Sequence, residues 1–365
     1  MKITHIDVFL LVVPLRGSFI TSQSTRTHQK SVVTQVHTDK GLTGLGDVDP
    51  SPGYSEETPK EIASCLKDTL IPCVIDKDPR EIVLRLADMD QQVKGHYHAK
   101  AALEMAFYDL AAKEQDVPVH RLLGGPARDK IPLIGWIGHK SPEESADEAA
   151  RWVSRGFRTV KIKVGKDSEE DIERVRVIRQ AVGPEVQLRI DANEGYTPDL
   201  AIKAIRGFAQ FNILYCEQPV SRDDLEGMAR VRKAVDVPLM ADEGIVNPQD
   251  ILSVAEKKAA DVVKVKVMKN GGLYKTSRMI WLAGILGLRC VLGHGFTLGI
   301  NALSEIHVAA SLPNIMMPIE TTGMLKIEDD VFSPPIKVDS GCVDVPKASG
   351  LGATLDQEKL SQFNV

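Results

Sequence analysis

The segment Thr159-Val-Lys-Ile-Lys-Val164 constrains this chain more than any other. In a strand, successive side chains point to opposite faces, so Val160, Ile162 and Val164 share one face and Lys161 and Lys163 the other. Two lysines then look inward together. Buried ammonium groups are costly unless carboxylates surround them or one has lost its proton. A fold for this chain must bring acids to this strand.

Acids recur at regular intervals. Asp191 closes the apolar run that starts at Val186, Glu217 the run from Ile213, Asp242 the run from Pro238, and Lys266 the run from Ala260. From Lys163 onward the intervals are 28, 26, 25 and 24 residues, the length of one strand, one helix and two loops. Ser141-Pro142, Thr197-Pro198 and Asn247-Pro248 each set a capping residue before a proline at the first helical position, and Glu144 completes a capping box with Ser141. Eight strand candidates follow this rhythm, near 131–137, 159–164, 186–191, 213–217, 237–242, 261–266, 289–293 and 315–320. Eight βα units predict an α/β fold, a (β/α)8 barrel of the TIM type with its site at the carboxyl ends of the strands.

The chain before the barrel has another pattern. Residues 2–14 and 29–48 read as antiparallel strands with a tight turn at 38–41, and the polar, Ser/Thr-rich stretch 16–28 is expected to be a mobile loop. Helical patterns cover 56–71, 79–90 and 97–114, and Leu122-Leu-Gly-Gly-Pro126 breaks the chain. The expected division is an N-terminal α+β domain over 1–125, the barrel over 126–324, and a segment over 325–365 that packs back on the first domain. A short strand is expected in that segment near Ile336 and Val343.

With 365 residues, 43% of them hydrophobic, the chain can bury the cores of two domains. Its 45 basic and 50 acidic residues leave a net charge of −5 without a basic stripe, so no nucleic-acid partner is expected. The start lacks the pattern of a signal peptide and no apolar run approaches a membrane span. Five scattered cysteines read as reduced core residues of a cytoplasmic protein, not as a disulfide or zinc framework.

A barrel brings Asp191, Glu217 and Asp242 to one rim. Each alone could simply cap the helix that follows it. Three hard oxygen donors at matched positions, without cysteine or histidine, suit Mg²⁺, with Mn²⁺ as a substitute. Lys163 and Lys266, on strands two and six of eight, would then place the α-carbon of a metal-bound carboxylate between two amines. One lysine, neutral, takes the α-proton; the other returns a proton or stabilises charge on the opposite face, while the metal holds the enediolate. The alternative is that the lysines only neutralise the acids. For Lys161 and Lys264, one inward layer deeper, both readings stay open.

Lys161-Ile-Lys163, Asp191-Ala-Asn193, Cys216-Glu-Gln-Pro219, Ala241-Asp-Glu243 and Lys266-Val-Met-Lys-Asn-Gly-Gly272 resemble the enolase superfamily, in particular its muconate-lactonising subgroup. The resemblance covers essentially the whole chain. It implies a capping domain whose loops, near 16–25 and 49–55, close over the substrate. It also implies Asp191, Glu217 and Asp242 as Mg²⁺ ligands, Lys163 and Lys266 as acid/base catalysts, Lys161 as an electrostatic aid at the carboxylate, and Asn193 as a substrate-side residue. A homo-oligomer, dimer or octamer, accompanies it.

The chain departs from the pattern at three places. Lys264 stands where the subgroup carries a neutral residue, and its extra charge is expected to meet a second acid. His294, in Gly293-His-Gly-Phe296, falls where the mandelate racemase subgroup keeps a catalytic histidine. Because Lys266 takes the place of that subgroup's partner aspartate, His294 is read as a binding or loop residue. Ile319-Glu-Thr-Thr322 offers one acid where dipeptide epimerases carry an Asp-x-Asp pair, which disfavours a dipeptide substrate. Glu320 then either meets a cationic group or is a rim carboxylate paired to a lysine. The expected activity is Mg²⁺-dependent α-proton abstraction from a small carboxylate, ending in racemisation, epimerisation or cycloisomerisation. A dehydratase and a non-catalytic carboxylate-binding barrel are the alternatives.

Overall fold

A computed structural model describes residues 1–20 and 25–365. The chain opens with an antiparallel sheet of β1 (Ile3–Ile20), β2 (Thr25–Thr38) and β3 (Thr43–Val48). Gly41, at φ +72°, lets the 38–41 turn close, its N–H reaching the Thr38 carbonyl at 3.0 Å. The stretch expected as a mobile loop is mostly strand: β1 and β2 extend past a register break after Pro14 and pair Phe19 with Arg26. Its threonines and serines suit an extended ribbon as well as a loop, and composition alone does not separate the two. Residues 21–24 of that expectation lie outside the described residues.

Helix Tyr97–Glu114 lies against this sheet and is buried on every side from His98 to Ala112. It comes so close to β3 that a Cβ on Gly44 or Gly46 would overlap the carbonyls of Ala106 and Ala102. Only glycine fits there.

The barrel sheet is parallel and in chain order: β5 (Gly135–Ile137), β6 (Thr159–Lys163), β7 (Gln187–Asp191), β8 (Ile213–Glu217), β9 (Leu239–Ala241), β10 (Val262–Val265) and β11 (Arg289–Leu292). Two of the eight strand candidates differ from expectation. The first is split, because β4 (Lys130–Pro132) pairs antiparallel with Cys342–Asp344 while only β5 joins the barrel. The eighth is no ladder: Ile315 bridges Cys290 and Ile319 bridges Leu133. Pro318 between them has no N–H to give. Those two bridges carry the curled sheet round from β11 toward its start, so the fold is a modified (β/α)8 barrel.

The helix starts follow the sequence. Ser141 with Glu144, and Asn247 with Asp250, form capping boxes on helices Pro142–Ser154 and Pro248–Lys257, and Thr197 accepts from the Leu200 N–H ahead of helix Pro198–Ala209. The tail completes the capping layer: Asn364 bridges Leu11, and the Val365 N–H donates to the Leu10 carbonyl at 3.0 Å. Ile336 lies outside any strand, and the tail adds a helix, Gln357–Phe363, beyond the expected elements. Among the described residues, no helix is long and apolar enough to cross a membrane.

Candidate active site

Strand register assembles the site. Lys163 pairs with Asp191, and Asp191 with Glu217, at the carboxyl ends of β6, β7 and β8. Asp242 and Lys266 each stand one residue beyond β9 and β10. One cavity is lined by all ten residues singled out in the sequence: Lys161, Lys163, Asp191, Asn193, Glu217, Asp242, Lys264, Lys266, His294 and Glu320.

Ammonium groups stand between the carboxylates. Lys161 Nζ lies 2.8 Å from Asp191, 2.6 Å from Glu217 and 2.7 Å from Glu320. Lys264 Nζ lies 3.1 Å from Glu217 and 3.9 Å from Asp242 and also bonds Glu320. Lys163 Nζ donates to Asp191 at 2.6 Å and to the Asn193 amide oxygen at 2.5 Å. Lys266 Nζ reaches both oxygens of Asp242 at 2.8 Å.

Glu320 faces the chain's own cations. One oxygen accepts from Lys161 and Lys264, and the other from the Tyr215 hydroxyl at 2.9 Å and Arg189 at 3.4 Å. Burial works against its charge, yet Lys161, Lys264 and Arg189 outweigh burial and hold its carboxyl well below the usual range. Both of its oxygens are thus engaged by groups of the chain itself. Lys264 meets the second acid expected of it. His294 is buried, its Nδ1 accepts the Phe296 N–H at 3.0 Å, and burial pushes the ring well below an ordinary histidine.

Lys266 and Lys161 differ in how their surroundings treat the charge. Burial and the adjacent charge of Lys269 push Lys266 well below an ordinary lysine. Lys161 goes the other way: burial opposes its charge, but Asp191, Glu217 and Glu320 hold the proton on.

Several residues in the site escaped the sequence reading. Tyr54, in the 49–55 loop, donates its hydroxyl to Asp242 at 2.6 Å, and Lys266 Nζ lies 3.9 Å from the centre of its ring. Lys269 donates to the Asp242 carbonyl at 2.5 Å. Lys326 Nζ sits 3.9 Å from the centre of the Trp136 ring and 4.4 Å from that of Phe296. Arg26, from β2, lines the same cavity. Lys269 was visible within the Lys266 to Gly272 motif; the others reach the barrel from distant segments, which no local pattern reveals.

Among the described residues, no three acidic, histidine or cysteine side chains form an open metal cage. The lysine ammoniums occupy the space between the acids. The donor set nevertheless fits a hard dication. Asp191, Glu217 and Asp242 offer only oxygens from three adjacent strand ends. Glu217 is buried beside Asp191, and burial and that like charge push its carboxyl well above the usual range. Such a pair is a place for added positive charge.

A curled parallel sheet gathers lysines and carboxylates at its strand ends beneath an α+β cap, and the relatives that share this architecture are isomerases, racemases and cycloisomerases among them. The chain belongs to the mandelate racemase/muconate lactonizing enzyme family of the enolase superfamily: residues 4–124 match the family's N-terminal domain, and residues 144–359 the enolase C-terminal domain-like family. It is 31% identical to the N-succinyl-L-Arg/Lys racemase of Bacillus cereus over 100% of this chain and 98% of that protein. The crystal structure of that racemase superposes with a TM-score of 0.97. Muconate cycloisomerase 1 of Rhodococcus opacus is 31% identical, over 100% of this chain and 98% of its own. A dipeptide epimerase from Enterococcus faecalis, solved with Mg and the dipeptide L-Leu-L-Tyr, is 31% identical over 97% of this chain and 100% of its own, with a TM-score of 0.93.

Proposed function

We propose that this protein racemises, epimerises or cycloisomerises a small carboxylic acid by moving a proton at its α-carbon, with Lys163 and Lys266 as the acid/base pair. The observation that carries the reading is the placement of two lysines, each tied to a different carboxylate, at the ends of β6 and β10 around one cavity. Asp191, Glu217 and Asp242 would hold Mg²⁺, or Mn²⁺ in its place; the dication, when bound, supplies positive charge for the substrate carboxylate as its α-carbon loses a proton. Lys266, whose surroundings favour the neutral amine, is equipped to accept that proton. Lys163, held by Asp191 and Asn193, faces the acid from the other strand and returns a proton to the opposite side. Lys161 keeps its charge and steadies the carboxylate group. His294 and the barrel-floor cluster of Glu320, Lys264 and Arg189 shape the pocket. The named relatives are isomerases, which favours this outcome over elimination of water.

The test is exchange in D₂O. Purified protein with Mg²⁺ is incubated with pooled N-acyl amino acids, dipeptides and diacids, and masses are read before and after. Gain of one deuterium by a compound that otherwise keeps its mass, lost on adding EDTA, is the expected result. A product lighter by water indicates a lyase instead. Binding of pooled acids without exchange or mass change overturns proton abstraction.

A further inference from the structure

Lys163 is held at both ends. Its Nζ is tied to Asp191 and Asn193, and its backbone carbonyl, the last of β6, accepts a hydrogen bond from Arg174 at 2.7 Å. Arg174 belongs to helix Ser168–Val182, the next element in the chain, and is only 2% exposed. The nitrogen that reaches Lys163 also donates to His139 Nδ1 at 3.3 Å, in the loop after β5, and the other terminal nitrogen meets Asp171 at 3.1 Å. Asp171 in turn accepts the N–H groups of Gly165 at 2.8 Å and Lys166 at 3.2 Å and the Tyr196 hydroxyl at 2.6 Å. The turn that leaves Lys163 is therefore clamped from its carbonyl to Lys166.

That turn has little room to shift. Gly165 stands at φ +104°, and a Cβ there would overlap the Ala192 carbonyl, while one on Gly195 would overlap the Gly165 carbonyl. The 164–166 turn thus packs against the loop that carries Asn193. A buried arginine and aspartate are costly to desolvate, and apolar residues of the same volume often stabilise a fold as well as such a pair does. Stability alone does not account for one here. A guanidinium does fix several partners in one plane, and these partners are the Lys163 carbonyl, His139 and Asp171. Lys266 is held by other groups: its N–H donates to Asn270 Oδ1 at 2.7 Å, and the Asn270 amide donates to the Ile245 and Val246 carbonyls.

We infer that Arg174 is a positioning residue for Lys163 alone, setting where that amine stands at one face of the substrate's α-carbon and leaving the Lys266 face untouched. The inference rests on the proton-abstraction reading. A reacting group displaced by about 1 Å loses on the order of a hundredfold in rate, so a clamp on the strand end reaches the chemistry without touching the substrate.

The experiment takes the two enantiomers of an acid that exchanges, separately, in D₂O with saturating Mg²⁺. The enantiomer that Lys163→Ala no longer labels reports the Lys163 face. In Arg174→Met its labelling is expected to slow about 30- to 100-fold through kcat, with KM and the labelling of the other enantiomer changing less than about threefold. Should Arg174→Met fail to fold, Tyr196→Phe, which removes one donor to Asp171, is expected to slow the same enantiomer about three- to tenfold. Equal slowing of both enantiomers, or slowing of neither, overturns the inference. Crystal structures of the wild type and the variant, grown without metal, separate this from the chemistry. Lys163 Nζ drawn away from Asp191 while Lys266 keeps Asp242, in a protein that exchanges nothing, sustains Arg174 as the positioning residue and sinks proton abstraction. Lys163 unmoved in the variant overturns the positioning itself.

Discussion

Lys264 and Lys161 reach the same two carboxylates, Glu217 and Glu320, from two different strands. Removing one partner of a buried ion cluster leaves charge uncompensated, which is far more costly than an exposed pair would suggest. Lys264→Met is therefore expected to lower stability by about 3 kcal/mol in urea unfolding and to slow α-proton exchange at least tenfold. Unchanged stability and turnover would mean that Lys264 is dispensable. The residue scale is where the sequence was most informative. Strand alternation and βα spacing put Lys161, Lys163, Lys264 and Lys266 on the inner face, and the same rhythm put Asp191, Glu217 and Asp242 at the strand ends. Tyr54 and Arg26 were illegible for a physical reason: each reaches the barrel site from a segment far away in sequence, by a tertiary contact that no local pattern encodes.

Between elements, the decisive contact is made by Glu104. It lies in the buried helix Tyr97–Glu114 of the cap, and its carboxylate accepts the N–H groups of Leu273 at 2.8 Å and Tyr274 at 2.7 Å. The cap thereby supplies the N-terminal cap of a barrel helix, Leu273–Ile285, whose own N-cap residue is Gly272 and has no side chain to offer. Gly272 sits at φ +108°, and a Cβ there would run into the Glu104 carboxyl. Gly272→Ala is expected to cost about 2–4 kcal/mol in denaturant unfolding, combining backbone strain with the lost cap. A cost below about 0.5 kcal/mol would show that the clamp is slack. The helices capped by Ser141, Thr197 and Asn247 were legible because their caps lie next to them in sequence. This one was not, because its cap comes from 169 residues away. An acid inside the apolar run Ala101 to Ala106 was the available signal.

At the scale of the whole molecule, cap, barrel and tail meet at His307. Its Nδ1 accepts the His120 backbone N–H at 3.2 Å and its Nε2 lies 3.3 Å from the Leu351 carbonyl, so the ring must be neutral with its proton on Nε2. Burial pushes its pKa down to about 3. The sign follows from linkage. The folded pKa is below the unfolded value of about 6.5, so the unfolded chain binds the extra proton first and stability falls as pH drops from about 6.5 toward 3. Between pH 7 and pH 4 the wild type is expected to lose about 3 kcal/mol more than His307→Gln, read from denaturant midpoints. Parallel slopes for the two proteins would remove His307 as the acid-sensitive joint.

Lys163 and Lys266, as proposed, serve opposite faces of one α-carbon. The most direct measurement takes each enantiomer of an acid that exchanges, incubates it in D₂O and Mg²⁺ with Lys163→Ala and with Lys266→Ala, and follows the α-deuterium by NMR. The wild type should label both enantiomers. Each variant should label one enantiomer only, and the two variants opposite ones. Either variant labelling both at the wild-type rate, or both labelling the same enantiomer, would contradict the account.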